Sequence, residues 1–206
     1  MNHWRSFSFL LATLFLLHGC GYLLQPDVQQ GMVNLEKGEY ELDPRHTTVL
    51  FKVDHLGLSK FVGRFNRVDA SLDFDPADPA AARLTAVIYT ASIDVNDADF
   101  SSTLAGRSWF NSERFPEARF VTRAVELVDG NRARFIGDLT MLGVTAPIAL
   151  DVHFNGGADN MLTGRYTLGF SAAARFKRSQ FGMDQYIPAV GDEIDVEVHA
   201  EFLRHE

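Results

Sequence analysis

From Tyr40 onward, apolar and polar residues alternate with a period of two. Over 47–55 one face reads Val49, Phe51, Val53 and His55, and the other Thr48, Leu50, Lys52 and Asp54. Over 146–154 Ile148, Leu150, Val152 and Phe154 stand opposite Pro147, Ala149, Asp151 and His153. The segment 161–171 groups Leu162, Gly164, Tyr166, Leu168 and Phe170; 193–202 groups Ile194, Val196, Val198, Ala200 and Phe202. Successive strand side chains point to opposite faces, so each stretch has one apolar and one wet surface. That is an antiparallel pattern, because a parallel sheet covered by helices is apolar on both faces. Further strands are predicted over 69–75, 83–94, 118–127 and 132–140. Turn signals at Asp75-Pro76, Asp78-Pro79, Asp129-Gly130-Asn131 and Asn155-Gly156-Gly157 divide the run.

About eight strands with one apolar face each must hide those faces in a two-sheet sandwich or a closed barrel, and closure also removes exposed edges. Two intervals break the alternation. The first, 96–116, has Asp and Asn residues suited to a helix N-cap and predicts two or three helical turns and a loop. The second, 172–192, reads as a long connection, of the kind that often serves as a lid or binding loop. Both are expected to flank one opening.

The composition adds a bias in the apolar set. Seventeen Phe stand against two Trp and five Tyr, and Phe supplies large apolar area with no polar tip to satisfy. A formal charge of −8 and the lack of a basic stripe argue against nucleic acid as a partner. One cysteine rules out an intrachain disulfide framework.

The N-terminus reads differently. Residues 7–17 form an apolar run broken only by Ser8 and Thr13. That is too short to span a bilayer as a helix but suits a signal peptide. Leu17-His18-Gly19-Cys20 resembles the bacterial lipobox, with His18 departing from the pattern. The resemblance implies a signal peptide over 1–19, cleavage before Cys20, and lipidation of that cysteine as a membrane anchor. Gly21 after it favours the outer over the inner membrane. Residues 20–37 show no sustained period and read as a tether, with the folded domain over 38–206.

A search for catalytic motifs returns no G-x-S-x-G, H-E-x-x-H, Walker or G-x-G-x-x-G pattern. His153 and His199 fall on polar strand faces, His46 in a turn and His205 at the terminus. His55, ending an apolar face, is the best candidate if the protein is an enzyme acting on a quinone or lipid, yet it has no second histidine at ligand spacing. Neither catalytic nor metal residues are assigned. A concave apolar interior with few polar groups is how a carrier for a greasy small molecule looks. Periodicity leaves equally open a solid barrel that acts as an envelope interaction module.

Four strings carry a family resemblance. The first is YELDPRHTTVLFKVDHLGLSKFVGRF, beginning at Tyr40; the others are RFPEARF, GDLTMLGVTAPIAL and FKRSQFGM. In order and together they resemble the YceI-like family of secreted lipid-binding proteins. The resemblance implies an all-β, eight-stranded antiparallel barrel similar to lipocalins, with one short helix and a long capping loop. It further implies a cavity for a polyisoprenoid chain such as an isoprenoid-quinone tail, with no cofactor beyond that ligand, a periplasmic or envelope location, and homodimers in some members. Gln180 stands where the family has an acid.

Alternation nominates Phe51, Val53, Ile148, Leu150, Val152, Tyr166, Leu168, Phe170, Val196 and Val198 as cavity lining, with Phe135, Val49 and Leu72 as neighbours. Arg175, Arg178 and Met183 are nominated for the entrance, where an arginine would meet a polar or anionic head group.

Overall fold

A computed structural model describes residues 25–32 and 34–205; the expected signal peptide and Cys20 lie outside the described residues. In chain order the elements are β1 (Gly38–Leu42), β2 (Thr48–His55), β3 (Ser59–Phe65), β4 (Val68–Phe74), β5 (Arg83–Tyr89), β6 (Ile93–Asp94), α1 (Ala98–Ala105), β7 (Glu117–Asp129), β8 (Arg132–Met141), β9 (Val144–Asn160), β10 (Arg165–Lys177) and β11 (Val190–Arg204).

Six of these strand segments are halves of three bent strands. β1 and β2 both pair with β11, at its C-terminal and N-terminal ends respectively. They also share the next neighbour, since β1 pairs with β4 and β2 with β3. β5 and β6 repeat the arrangement, pairing with β4 and β3. With each pair counted as one strand, the order is a simple meander of eight antiparallel strands closed by β11 on β1. Closure hides the apolar faces and leaves few free edges.

The breaks have local causes. At the β1–β2 corner the Asp43 carboxylate accepts the Arg45 amide, and Thr47 Oγ1 donates to the Asp43 carbonyl. Such an Asx turn diverts the chain from the ladder. At the β5–β6 corner the buried Thr90 hydroxyl donates to the Phe115 carbonyl. α1 starts where the sequence predicts: the Asp97 side chain accepts the Phe100 amide, an N-cap, and Leu104 packs inward against Val49, Phe65 and Ile93.

Three expectations change. Asn155-Gly156-Gly157 is not a turn; it lies inside β9, with a register shift opposite Gly169 and Phe170 that marks a bulge. The turn is at 161–164, so Leu162 is exposed rather than inward. The expected tether over 20–37 is in part laid on the barrel. Gln29 pairs with Gly157 by two backbone bonds, Asn131 Nδ2 donates to the Gln30 carbonyl, and Leu35 is buried. The two glycines explain the seat: a Cβ on Gly156 would lie 2.3 Å from Val28 Cγ1, and one on Gly157 2.9 Å from Leu35 Cδ2.

The floor of the barrel, beneath this strap, is its driest part. Tyr40, Phe154 and Leu168 are each within a percent of complete burial, and Phe74 and Leu35 join them. The Tyr40 hydroxyl donates to the Glu36 carbonyl at 2.5 Å, and burial first of all raises its pKa. Arg165 clamps the closing seam, donating to the carbonyls of Arg204 and Leu203 and to Glu41 Oε1.

Candidate functional site: an apolar cavity under a capped mouth

An eight-stranded barrel is just wide enough for its side chains to fill it or for one small ligand. Which of these holds depends on side-chain size at the inward positions. Six of them are alanines: Ala70, Ala86, Ala118, Ala172, Ala174 and Ala200. The large inward residues are accommodated by glycines across the wall. A Cβ on Gly63 would meet the Phe51 ring at 2.3 Å, and one on Gly137 the Phe120 ring at 2.5 Å. These rings therefore lie back against the sheet instead of filling the centre. A cavity of about 760 Å³ remains, within the ~300–1,000 Å³ of small-molecule sites. This is not the solid barrel of the interaction-module alternative.

Of the residues nominated from alternation, Phe51, Val53, Phe135, Ile148, Leu150, Val152, Phe170, Val196 and Val198 line this cavity, as do Val49 and Leu72. Tyr166 and Leu168 do not. They are inward on β10 but below the cavity, where Leu168 faces Gly157 and Phe202 in the ladder and belongs to the floor. Periodicity assigns a face and says nothing of height along the axis.

At the other end β10 continues to Lys177, so the long connection covers 178–189 rather than 172–192. Arg175 therefore keeps the outward parity of its strand, with Nε 2.5 Å from Asp195 Oδ1 on the exposed wall, away from the entrance. Exposed pairs of this kind contribute little. Met183 and Arg178 do reach the cavity.

Arg178 is 2% exposed and is satisfied without a carboxylate. Nε donates to the Gly191 carbonyl, Nη1 to Met183, and Nη2 to Gln185 and Val190, at 2.8–3.0 Å. Burial lowers its pKa, against the pull of Asp192 and Asp184. Its role in this geometry is to fold the 178–189 loop over the mouth. Gln180 does not pair with it; Gln180 Oε1 accepts the Lys177 amide. Asp192 holds the start of the same loop through the Ser179 amide and hydroxyl.

Besides this loop, the mouth is flanked by the β2–β3 turn and by α1 with the loop that follows it. Leu56 donates its amide to the Ala189 carbonyl, tying turn to loop. Phe61 and Phe100 stack edge-on at 5.7 Å, and Trp109 lies 6.1 Å from Tyr186. The titratable side chains on the cavity wall are His55, Tyr186 and Arg178. All three are at this end, and the rest of the wall is apolar apart from Thr47, Thr103 and the Trp109 indole. His55 is exposed at the end of β2. Among the described residues no hydrogen bond reaches its imidazole.

On the outer wall Asp43, His46 and Glu201 bring their ligand atoms within 4.8 Å of one another. His46 Nδ1 lies 2.8 Å from Asp43 Oδ2 and 3.9 Å from Glu201 Oε2. The Asp43 hydrogen bond raises the His46 pKa. Burial pushes Asp43 upward, but the hydrogen bonds from His46 and the Arg45 amide outweigh it and hold the carboxyl low.

The comparisons with known proteins agree with this architecture. A family model described as YceI-like domain matches residues 40–202. The chain belongs to the YceI-like family. It is 33% identical to a UPF0312 protein of Yersinia pestis (strain Pestoides F) over 165 residues, covering 79% of this chain and 85% of that one. A UPF0312 protein of Photorhabdus laumondii is also 33% identical, over 168 residues, with 80% and 86% covered. Among solved structures, Burkholderia cenocepacia BcnA superposes with a TM-score of 0.71 at 25% identity, covering 78% of this chain and 98% of that one. A polyisoprenoid binding domain from Saccharophagus degradans shares the fold, with a TM-score of 0.64 at 11% identity over 82% of this chain and 100% of that domain. The YceI-like strings map onto working parts. Gly63 is the seat of Phe51, and Arg178 is the staple of the capping loop.

Proposed function

We propose that this YceI-like barrel binds a long, largely hydrocarbon lipid, of the polyisoprenoid class, and stores or carries it in the cell envelope without chemically altering it. The observation that carries this reading is a 760 Å³ cavity whose few ionisable groups all lie at the mouth. Each CH₂ withdrawn from water is worth ~0.8 kcal/mol. At ~0.3 kcal/mol per heavy atom, a forty-carbon tail yields about 12 kcal/mol with no strong head-group contact. The Saccharophagus domain of the same fold, described as polyisoprenoid binding, supports this choice of lipid.

Protein purified gently from membrane-bearing cells is expected to carry an organic-extractable isoprenoid by mass spectrometry. Lipid-free protein from repeated preparations overturns the reading. His55→Ala is expected to leave lipid content unchanged, whereas a lipid in wild type that is a converted form of the one held by the variant would point to turnover. Envelope attachment through Cys20 belongs to the same proposal, and labelled palmitate should enter the wild type and not Cys20→Ala.

A further inference from the structure

The cavity's apolar wall runs out of the barrel onto the solvent side. Leu56, Phe100 and Tyr186 line the cavity and are also exposed, Tyr186 at 68%. Leu58, at the tip of the β2–β3 turn, is 84% exposed, and Ile187 extends the rim beside Tyr186. Three separate elements therefore turn large apolar side chains outward around one opening. Two of these residues are held there against backbone preference: Leu56 has φ +57° and Tyr186 φ +58°. Positive φ at bulky residues is uncommon and costs free energy. The opposite end differs. Its hairpins also expose Leu127, Val128, Met161 and Leu162, but none of these lines the cavity, and Tyr40, Phe154 and Leu168 seal the floor behind them.

We propose that the mouth rim is a bilayer-docking surface, which seats Leu56, Leu58, Phe100, Tyr186 and Ile187 in the outer part of a lipid leaflet. This deepens the lipid-binding reading and rests on it. A lipid leaving the cavity through a mouth open to water exposes its chain at ~0.8 kcal/mol per CH₂. A mouth pressed into hydrocarbon removes that barrier, because the wall, the rim and the leaflet form one apolar path. The Trp109–Tyr186 pair suits the boundary, since such aromatics have an apolar body and a polar tip and favour membrane interfaces. A protein seated on the same rim would block the path. The chain's net charge of −8 points to insertion rather than attraction to an anionic surface. Docking on neutral vesicles is therefore expected to be insensitive to salt.

The test uses the full chain with Cys20→Ser, so that one introduced cysteine carries an environment-sensitive fluorophore. Leu58→Cys is labelled in one preparation and Leu162→Cys, at the sealed end, in another. Both are mixed with phosphatidylcholine–phosphatidylethanolamine vesicles containing lipid spin-labelled in its acyl chain. The Leu58 label is expected to shift to the blue and be quenched by the spin label. Adding Tyr186→Asp and Phe100→Asp to the Leu58→Cys protein should lower vesicle partitioning at least about tenfold, equivalent to about 1.4 kcal/mol.

A Leu58 label that stays in water, or one quenched no more than the Leu162 label, overturns the proposal. So does a blue shift that needs no vesicles and depends on protein concentration, which marks a mouth-to-mouth dimer. Extractable lipid is measured in the same preparations. Lipid-loaded protein that does not dock overturns docking alone. Protein that docks but holds no lipid supports the rim and overturns the ligand reading.

Discussion

Arg178 acts through four hydrogen bonds that a substitution removes, and Gly137 through a close approach that an added Cβ would obstruct. Arg178→Met removes the donor to the loop carbonyls of Met183 and Gln185 and to those of Val190 and Gly191 at the start of β11. Hydrogen bonds to charged groups are worth ~1.5–3 kcal/mol, and buried unpaired acceptors cost about as much. A loss of about 2–4 kcal/mol is expected in denaturant unfolding, with hydrogen exchange rising first in 178–189. Arg178→Lys should recover only part, because an ammonium lacks the planar fork. Gly137→Ala places a Cβ 2.4 Å from the Val121 carbonyl oxygen, a backbone atom that cannot swing away. About 1–3 kcal/mol of overpacking is expected by the same measurement.

The Asp43–His46 pair makes stability depend on pH. His46 has its pKa raised on folding, so its contribution is complete below the unfolded value of ~6.5 and is lost as pH rises through the folded value. Asp43 has its pKa lowered, so its contribution is present above ~3.9 and is lost as pH falls through the folded value. The thermal midpoint of wild type minus that of His46→Ala is expected to peak between about pH 4 and 6.5 and to shrink on either side. A flat difference across that range would show that the pair is not coupled to folding.

Among the elements, the β9 bulge and the strap that crosses it behave as one unit. The extra residue in β9 turns Gly156 and Gly157 toward the strap, and Leu35 then reaches the floor beside Leu168. Leu35→Ala is expected to cost about 2–3 kcal/mol as a cavity in a dry site. Limited proteolysis should then cut within 25–36 while the barrel stays intact; unchanged resistance would mean that the strap adds nothing. The bulge was not visible in the sequence because Asn-Gly-Gly is the ordinary spelling of a turn. The strand carried past it because partners on both sides, β10 and the strap, satisfied its backbone. The same reasoning explains β10. Ala172 to Lys177 lack the bulky alternation that marks a strand, yet pairing with β11 holds them extended.

For the whole molecule, the cavity depends on the sum of small residues around one ring. Ala172→Phe places a ring into that space from a wall position that already faces inward. Most of the extractable lipid should be lost, and the denaturation midpoint of delipidated protein should be unchanged or higher than that of delipidated wild type, since the new ring fills apolar cavity space. Loss of folding instead of loss of lipid would mean that the wall tolerates no such insertion. The strap also changes the reach of the chain. Gln29, paired with Gly157, lies nine positions after Cys20, so an anchor at Cys20 would be at most ~32 Å from it along the chain.

The sequence by itself determined that the strands are antiparallel, which of their residues face inward, and the capped helix. Those properties depend on residues adjacent in the chain, through the two-residue period and local hydrogen bonds. Tertiary structure alone decided height and size. It placed Leu168 in a floor and Val196 in a wall, though both share the same parity. It also converted six alanines and two ring-seating glycines, spread from Gly63 to Ala200, into a single void. A void is a property of residues that meet across the barrel, and no local pattern records which ones will.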